Sequence, residues 1–189
     1  VFPKSSDKNM QSQYINLFNE QNIKVFELPT ILDNQFISMI EMREQGVKFK
    51  RVDSNVQDLT DGESESNDTL SEIFKLSIPE ETKIEVKALK NTSIPAIILL
   101  SEESRRMQEM YKAYGQQMAA MAGMFKDEYT LVLNSENELI KKLPTMTEDD
   151  KKLVSEHIYD LAMLCNKPLP AEQMTKFIER SNKIMEKLL

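Results

Sequence analysis

The chain has 189 residues, 40% of them hydrophobic and 29% charged, which is typical of a globular protein and excludes a disordered one. Its formal net charge of −7 argues against a nucleic-acid partner, because binding phosphates needs a basic surface. The absence of a bilayer-length apolar run argues against a membrane partner. A single cysteine, Cys165, excludes an intrachain disulfide. Together with the lack of a signal-peptide pattern at the start, it favours a cytoplasmic location.

The first 56 residues alternate predicted helices and strands. A first helix carries apolar residues at helical spacing: Met10, Tyr14, Leu17 and Phe18. A strand is predicted over 23–28, a second helix from Asp33 to a stop at Gly46, and a half-buried strand over 47–52. This order predicts a partial βαβ unit. Because it is too small for a core of its own, we interpret residues 1–56 as a piece of a larger α/β domain.

Residues 57–69 hold five acidic side chains and no basic one. Such a composition buries little apolar surface, so the segment is predicted to be an acidic linker. It separates residues 1–56 from a C-terminal domain over 70–189.

The C-terminal domain is predicted to contain a small three-stranded sheet with helices. A short helix around Leu70 precedes strands over 83–88, 96–100 and 129–133. The second strand, AIILL, is wholly apolar and is expected at the centre of the sheet. Ser135 and Glu138 form a predicted capping box for a further short helix. Two longer helices, over 147–165 and 171–188, close the chain as a hairpin. The predicted fold class is therefore α+β.

Both terminal helices carry broad apolar faces, and two alternatives follow. The faces pack on the sheet of the same chain, or the hairpin pairs with that of a second chain in an intermolecular four-helix bundle. The residues of the second alternative are Leu153, Ile158, Leu161, Met174, Phe177, Ile178, Ser181, Ile184, Met185 and Leu188.

A methionine-rich segment follows the second strand, and five of the twelve methionines lie between Met107 and Met124. Methionine is flexible and suits surfaces that bind many apolar partners, although a methionine stripe also fills cores. The candidate contact residues are Met107, Met110, Tyr111, Tyr114, Met118 and Met121.

Catalytic patterns are weak. Ser155, His157 and Asp160 share one predicted helix, but their spacing does not reproduce a nucleophile–base–acid relay. No phosphate-binding loop, dinucleotide fingerprint or zinc-protease motif occurs. Neither catalytic nor metal-binding residues are predicted.

The order of motifs resembles the ninety-kilodalton heat-shock chaperone family, and most of all its bacterial HtpG type. Four stretches carry the resemblance: SQYINLFNEQNIKVFEL with ILDNQFISMIE and KFKRVDS, PAIILLSEESRRMQEMYKAYGQ, YTLVLNSENELIKKL, and IYDLAMLCNKPL with FIERSNKIM. The first resembles the end of the family's middle domain, and the others resemble its C-terminal domain. The family's apolar client contacts match Met107, Met110 and Tyr111, whereas Glu103 departs from the family pattern.

The resemblance implies a fragment that dimerises through the terminal hairpin and contacts unfolded client proteins. It also implies that the nucleotide-binding domain lies outside these 189 residues, so that ATP and magnesium belong to the whole chaperone, and that the fragment is not an enzyme. The alternative is a purely structural homodimerisation scaffold whose methionines fill its core.

Overall fold

The structure is a computed structural model that describes residues 8–28, 33–52, 59–60, 67–101, 104 and 128–187. Within these ranges the chain forms six α-helices and one three-stranded sheet, a mixed α+β fold. The helices are α1 (Lys8–Glu20), α2 (Asp33–Arg43), α3 (Asp68–Lys75), α4 (Glu138–Lys142), α5 (Glu148–Leu164) and α6 (Ala171–Glu186). The strands are β1 (Lys83–Lys87), β2 (Ala96–Leu100) and β3 (Tyr129–Asn134). A 3₁₀ turn over Leu143–Thr145 joins α4 to the loop before α5.

The sheet has the order β1-β3-β2, with β3 parallel to β1 and antiparallel to β2. The three predicted strands are confirmed, but the central position predicted for β2 is wrong. β2 lies at an edge, and its apolar sequence has another cause. Ile97 and Ile98 point to opposite faces of the sheet, because side chains alternate along a strand, and both are buried.

Two apolar clusters cover the two faces of the sheet. On one face Ile98 and Leu131 pack with residues of α3, α4 and α5, such as Phe74, Ile140 and Ile158. On the other face Ile97 and Val132 pack with three buried residues of α1: Tyr14, Leu17 and Phe18. The N-terminal piece therefore completes the core of the C-terminal sheet.

The N-terminal piece differs from its predicted βαβ unit. Its helices α1 and α2 are confirmed, and Gly46 has a φ of +102°, the left-handed conformation that ends helices. The strand predicted over 23–28 is wrong, because these residues belong to no strand, and the one predicted over 47–52 is not confirmed: residues 47–50 belong to no strand and Arg51 forms only a single β-bridge. A strand needs a neighbour for its peptide groups. Ile23 and Val25 instead pack, partly buried, against the apolar cluster that contains Tyr14, Leu17 and Phe18 of α1.

Two residues of the predicted linker, Leu59 and Thr60, are described by the structure. Leu59 is buried in the apolar cluster that contains Tyr14, Leu17 and Phe18 of α1, and Thr60 forms an antiparallel bridge with Leu89. The rest of 57–66 lies outside the described residues. The domain boundaries stay a prediction.

Two asparagines organise the end of β3. Asn137 caps α4, because its side-chain oxygen accepts hydrogen bonds from the amides of Leu139 and Ile140 at 3.0 and 3.3 Å. The capping box predicted at Ser135 is therefore wrong. The amide of Ser135 donates to the carbonyl of Lys87 at 3.0 Å, and its hydroxyl is buried without a hydrogen-bond partner. The cap is Asn137, the residue that directly precedes the helix.

Candidate association surface

The terminal hairpin consists of α5 and α6 joined by the loop 165–170, and both predicted helices are confirmed. Thr147 caps α5 by accepting a hydrogen bond from the amide of Asp150 at 3.3 Å. Three acidic residues occupy the first turn of α5, where the helix dipole favours negative charge. Pro170 directly precedes α6 and sets where that helix begins.

An aromatic stack joins the two helices. The rings of His157 on α5 and Phe177 on α6 are parallel, with centroids 4.7 Å apart. Burial, followed by the nearby positive charge of Arg180, lowers the pKa of His157. The neutral imidazole is therefore the form that the hairpin favours.

An ionic cluster joins the helices beside the stack. Arg180 of α6 bonds to Asp160 and, at 3.2 Å, to Glu156 of α5. Burial raises the pKa of Asp160, and the positive charge of Arg180 opposes that shift. Lys187 near the end of α6 pairs with Asp150 near the start of α5, which fixes the antiparallel arrangement.

The outer face of the hairpin exposes apolar side chains. Ile178 and Met185 of α6 are 52% and 56% exposed, and Leu161 of α5 is 41% exposed. Three further predicted interface residues are half-buried: Leu153, Ser181 and Ile184. None of the residues of α6 is fully buried. We call Leu161, Ile178 and Met185 the outer apolar face.

The other predicted interface residues have different surroundings. Ile158 is buried in the core of its own chain, and Met174 and Phe177 pack partly against that core. Leu188 lies outside the described residues. The intramolecular alternative therefore accounts for Ile158 and for part of Met174 and Phe177, but not for the outer apolar face.

Charged residues line a groove of the hairpin. A groove of about 310 Å³ between α5 and α6 is lined by Asp149, Lys152, Leu153, Glu156, Lys176, Glu179, Arg180 and Lys183. Its charges are mixed in sign, which suits a solvated rim rather than a ligand of one charge.

The methionine-rich segment lies outside the described residues, and with it Met107, Met110, Tyr111, Tyr114, Met118 and Met121. The structure does describe where the segment leaves and re-enters the fold. The hydroxyl of Ser104 accepts a hydrogen bond from the amide of Glu128 at 2.8 Å, and the amide of Ser101 donates to the carbonyl of Glu128 at 3.2 Å. The two ends therefore meet beside β2 and β3.

The residues tested for catalysis do not form a relay. The hydroxyl of Ser155 and Nδ1 of His157 are buried without a hydrogen-bond partner, while Asp160 pairs with Arg180. Burial raises the pKa of Cys165 and so disfavours its nucleophilic thiolate. Among the described residues, no group of histidine, cysteine and acidic side chains has the arrangement of a metal site.

Sequence reasoning missed the role of Arg180. A signal was present, because Asp160 interrupts the apolar face of α5 and a charge in such a position needs a partner. The partner was not identifiable from spacing alone, since the register between the two helices depends on the loop.

Comparison with known proteins shows that the chain is similar to bacterial chaperone proteins named HtpG. It is 33% identical over 156 residues to the chaperone protein HtpG of Bacteroides thetaiotaomicron, a match that covers 76% of this chain and 23% of the relative. It is 30% identical over 165 residues to an HtpG of Bacteroides fragilis, covering 80% and 24%. An HtpG of Porphyromonas gingivalis is 26% identical over 156 residues, covering 76% and 22%.

No family model matches the chain. In the described part of the chain, no helix has both the length and the apolar character that crossing a membrane requires. The chain spans about a quarter of the length of the HtpG relatives it matches, which is consistent with the C-terminal fragment that the sequence resemblance implies. The resemblance is thus confirmed: the chain is a relative of the HtpG heat-shock chaperones, homologous to about a quarter of their length.

Proposed function

We propose that the chain is the dimerisation and client-contact part of an ATP-dependent chaperone. Dimerisation is supported by the exposure of α6. Its sixteen residues include none that is fully buried. A helix this amphipathic gains most of its stability from packing its apolar face. Met174 and Phe177 pack only in part against the core of their own chain, and a second surface would complete that packing.

A second copy of the same hairpin supplies such a surface. In a two-fold dimer the same patch meets itself, so Ile178 and Met185 of one protomer would face the corresponding helices of its partner. The resulting intermolecular four-helix bundle would bury the outer apolar face inside a rim of charged residues such as Glu179 and Lys183. The ionic cluster around Arg180 stays on the contact between α5 and α6 of one chain.

Client contact is assigned to the methionine-rich segment. The relatives' name, chaperone protein HtpG, supports a role in protein folding. The meeting of Ser104 and Glu128 supports a single exit point for the segment beside the sheet. Tethering two such segments in one dimer would raise their effective concentration for a shared unfolded protein.

The activity of a whole chaperone would need parts beyond this stretch. We propose that ATP and magnesium bind elsewhere in the full protein, and that these 189 residues hold no cofactor and hydrolyse no ATP. The bacterial origin of the relatives and the single free cysteine support a cytoplasmic location. The alternative, a scaffold that only dimerises, shares the hairpin surface and differs in the role of the methionines.

The experiment that tests dimerisation places charge on the outer apolar face. The double variant Ile178→Glu and Met185→Glu should be monomeric and remain folded, because neither side chain is buried within its own chain. A matched control, Glu179→Lys and Lys183→Glu, changes charges on the rim and should remain dimeric. A double variant that stays dimeric would place the interface elsewhere.

A further inference from the structure

The helix α6 carries two rows of side chains that point in different directions. Phe177, Arg180 and Lys187 contact α5 through the aromatic stack and the ion pairs. Ile178 and Met185 of the outer apolar face are seven residues apart, a spacing that returns to nearly the same side of a helix. The first row is therefore used within the chain, and the second row is the one that faces away from α5.

Two neutral polar residues lie between the exposed apolar residues of the second row. Ser181 is half-buried and Asn182 is exposed. Each lies within about one helical turn of both Ile178 and Met185. The hydroxyl of Ser181 donates to the carbonyl of Phe177 at 2.9 Å, so it keeps a hydrogen-bond partner when another helix covers it. A second helix could therefore pack closely at this position without leaving that hydroxyl unpaired.

The charge pattern of α6 marks the same position. The sequence from Glu179 to Lys187 reads ERSNKIMEK, in which Ser181 and Asn182 are neutral and their neighbours on both sides are charged. In a two-fold dimer, a residue on the symmetry axis meets its own copy, so a charge there would face a like charge. A side-chain amide has both donors and an acceptor, so Asn182 can hydrogen-bond to another asparagine.

We propose that α6 pairs with its own copy in antiparallel orientation, with the two-fold axis between Ser181 and Asn182 and with Ile178 opposite Met185 of the partner subunit. This inference rests on the proposed dimer and adds its register. A shift of one turn would place Asn182 opposite an apolar side chain, where a buried amide without a partner costs free energy. Asn182 thus selects the register, as a single polar residue does in other helical interfaces.

The first experiment maps the register by cross-linking in the full 189-residue chain carrying Cys165→Ser. Ser181→Cys should form a disulfide between two copies in oxidised glutathione, because residues beside the axis come within the Cα separation of about 4.4–6.8 Å that a disulfide needs. Thr175→Cys is the matched control. Thr175 is also exposed on α6, but in this register it would lie about 20 Å from its own copy. Ile178→Cys and Met185→Cys should cross-link when mixed, and neither should do so alone.

The second experiment tests the role of Asn182. Asn182→Lys should raise the dissociation constant of the dimer about tenfold or more, because it places two like charges across the axis. Thr175→Lys makes the same change of charge away from the axis and should alter that constant less than about threefold. Asn182→Leu should keep the dimer but let Ile178→Cys cross-link to itself, because shifted registers no longer bury an unpaired amide.

Several results would overturn the register. These are a dimer in which Ser181→Cys does not cross-link, efficient cross-linking of Thr175→Cys, and equal weakening by the two lysine variants. Retention of a single register by Asn182→Leu would remove Asn182 as its determinant. Light scattering of the Cys165→Ser background shows which proposal has failed: a monomer contradicts the proposed dimer itself, whereas a dimer with the wrong cross-links contradicts only the register.

Discussion

His157 and Phe177 stack with ring centroids 4.7 Å apart and an angle of 4° between their planes. The stack fixes the rotation of α6 about its axis, because it holds position 177 against α5. Position 178 lies about 100° further round the helix, which turns Ile178 outward. The residue pair inside the hairpin therefore determines which side chains form the outer apolar face.

The pH dependence of stability should follow His157, the single histidine of the chain. Its folded pKa is lowered by burial and by Arg180, whereas the unfolded chain takes up a proton near pH 6.5. Between the two pKa values the unfolded state binds more protons, so the free energy of unfolding falls as the pH is lowered through about 6.5. Urea unfolding at about pH 8 and about pH 5.5 measures this loss.

The control for that prediction is His157→Phe, which keeps an aromatic ring against Phe177 and removes the titrating group. The carboxylates, including Asp160, are common to both proteins. The variant should lose less stability than the natural chain over the same pH interval. An equal loss in both proteins would assign the pH dependence to other groups.

Arg180→Ala should reduce the free energy of unfolding by about 2–3 kcal/mol, because it leaves the mostly buried carboxylate of Asp160 without its partner. Lys187→Ala breaks a more exposed pair with Asp150 and should cost clearly less, because solvent screens an exposed ion pair. Urea unfolding measures both. The double variant Arg180→Met and Asp160→Leu should regain most of the lost stability. That result would support the unpaired carboxylate of Asp160 as the cause of the loss. Equal losses in the two single variants would contradict the ranking.

Asn134→Ala should cost about 2–4 kcal/mol. Asn134 is 0% exposed. Its oxygen accepts from the amides of Leu89 and Glu136, and its nitrogen donates to the carbonyls of Asn91 and Ile94. Removing the amide leaves these four backbone groups without that partner.

The comparison variant for Asn134 is Asn137→Ala. It removes the α4 cap and a bond to the carbonyl of Thr92, for an expected loss of about 1 kcal/mol. Thermal unfolding of the two variants gives the order. A smaller loss for Asn134 than for Asn137 would show that the loop 88–95 does not depend on the buried amide.

Client binding should weaken when Met107, Met110 and Tyr111 are changed to serine. The measure is suppression of aggregation of an unfolded model protein, with the mass of the dimer as a check on assembly. The matched control changes three exposed apolar residues of α2 to serine: Phe36, Met39 and Met42. Equal weakening in both variants would indicate general surface stickiness. Unfolding of the first variant would favour the scaffold alternative, in which these residues are core.

Helices and strands were predictable from the sequence where their own residues carry the whole signal, such as apolar spacing or a terminating glycine. α5 and α6 follow from their apolar spacing, and the end of α2 follows from Gly46. The strand at 23–28 was wrong, because its pattern is compatible with a sheet but does not reveal whether a neighbouring strand is present. Local pattern sets the preference of a segment, and tertiary partners decide the outcome.

The edge position of β2 was not predictable for a related reason. Ile97 is buried on one face of the sheet and Ile98 on the other. An edge strand that is buried on both faces therefore has the same wholly apolar sequence as a central strand. The outer edge of β2 is contacted by Tyr14, whose hydroxyl donates a hydrogen bond to the carbonyl of Ile98, 84 residues away in the sequence. For the candidate surface, Ile178 and Met185 were identified from spacing, whereas the packing of Ile158 in its own core depends on how α5 lies on the sheet.

Absolute mass in solution, measured by light scattering across a dilution series, tests the central claim most directly. The chain weighs 21.9 kDa. The account predicts a species of about twice that mass that persists on dilution and is lost in the Ile178→Glu, Met185→Glu variant. A monomer at every concentration would contradict dimerisation through the terminal hairpin.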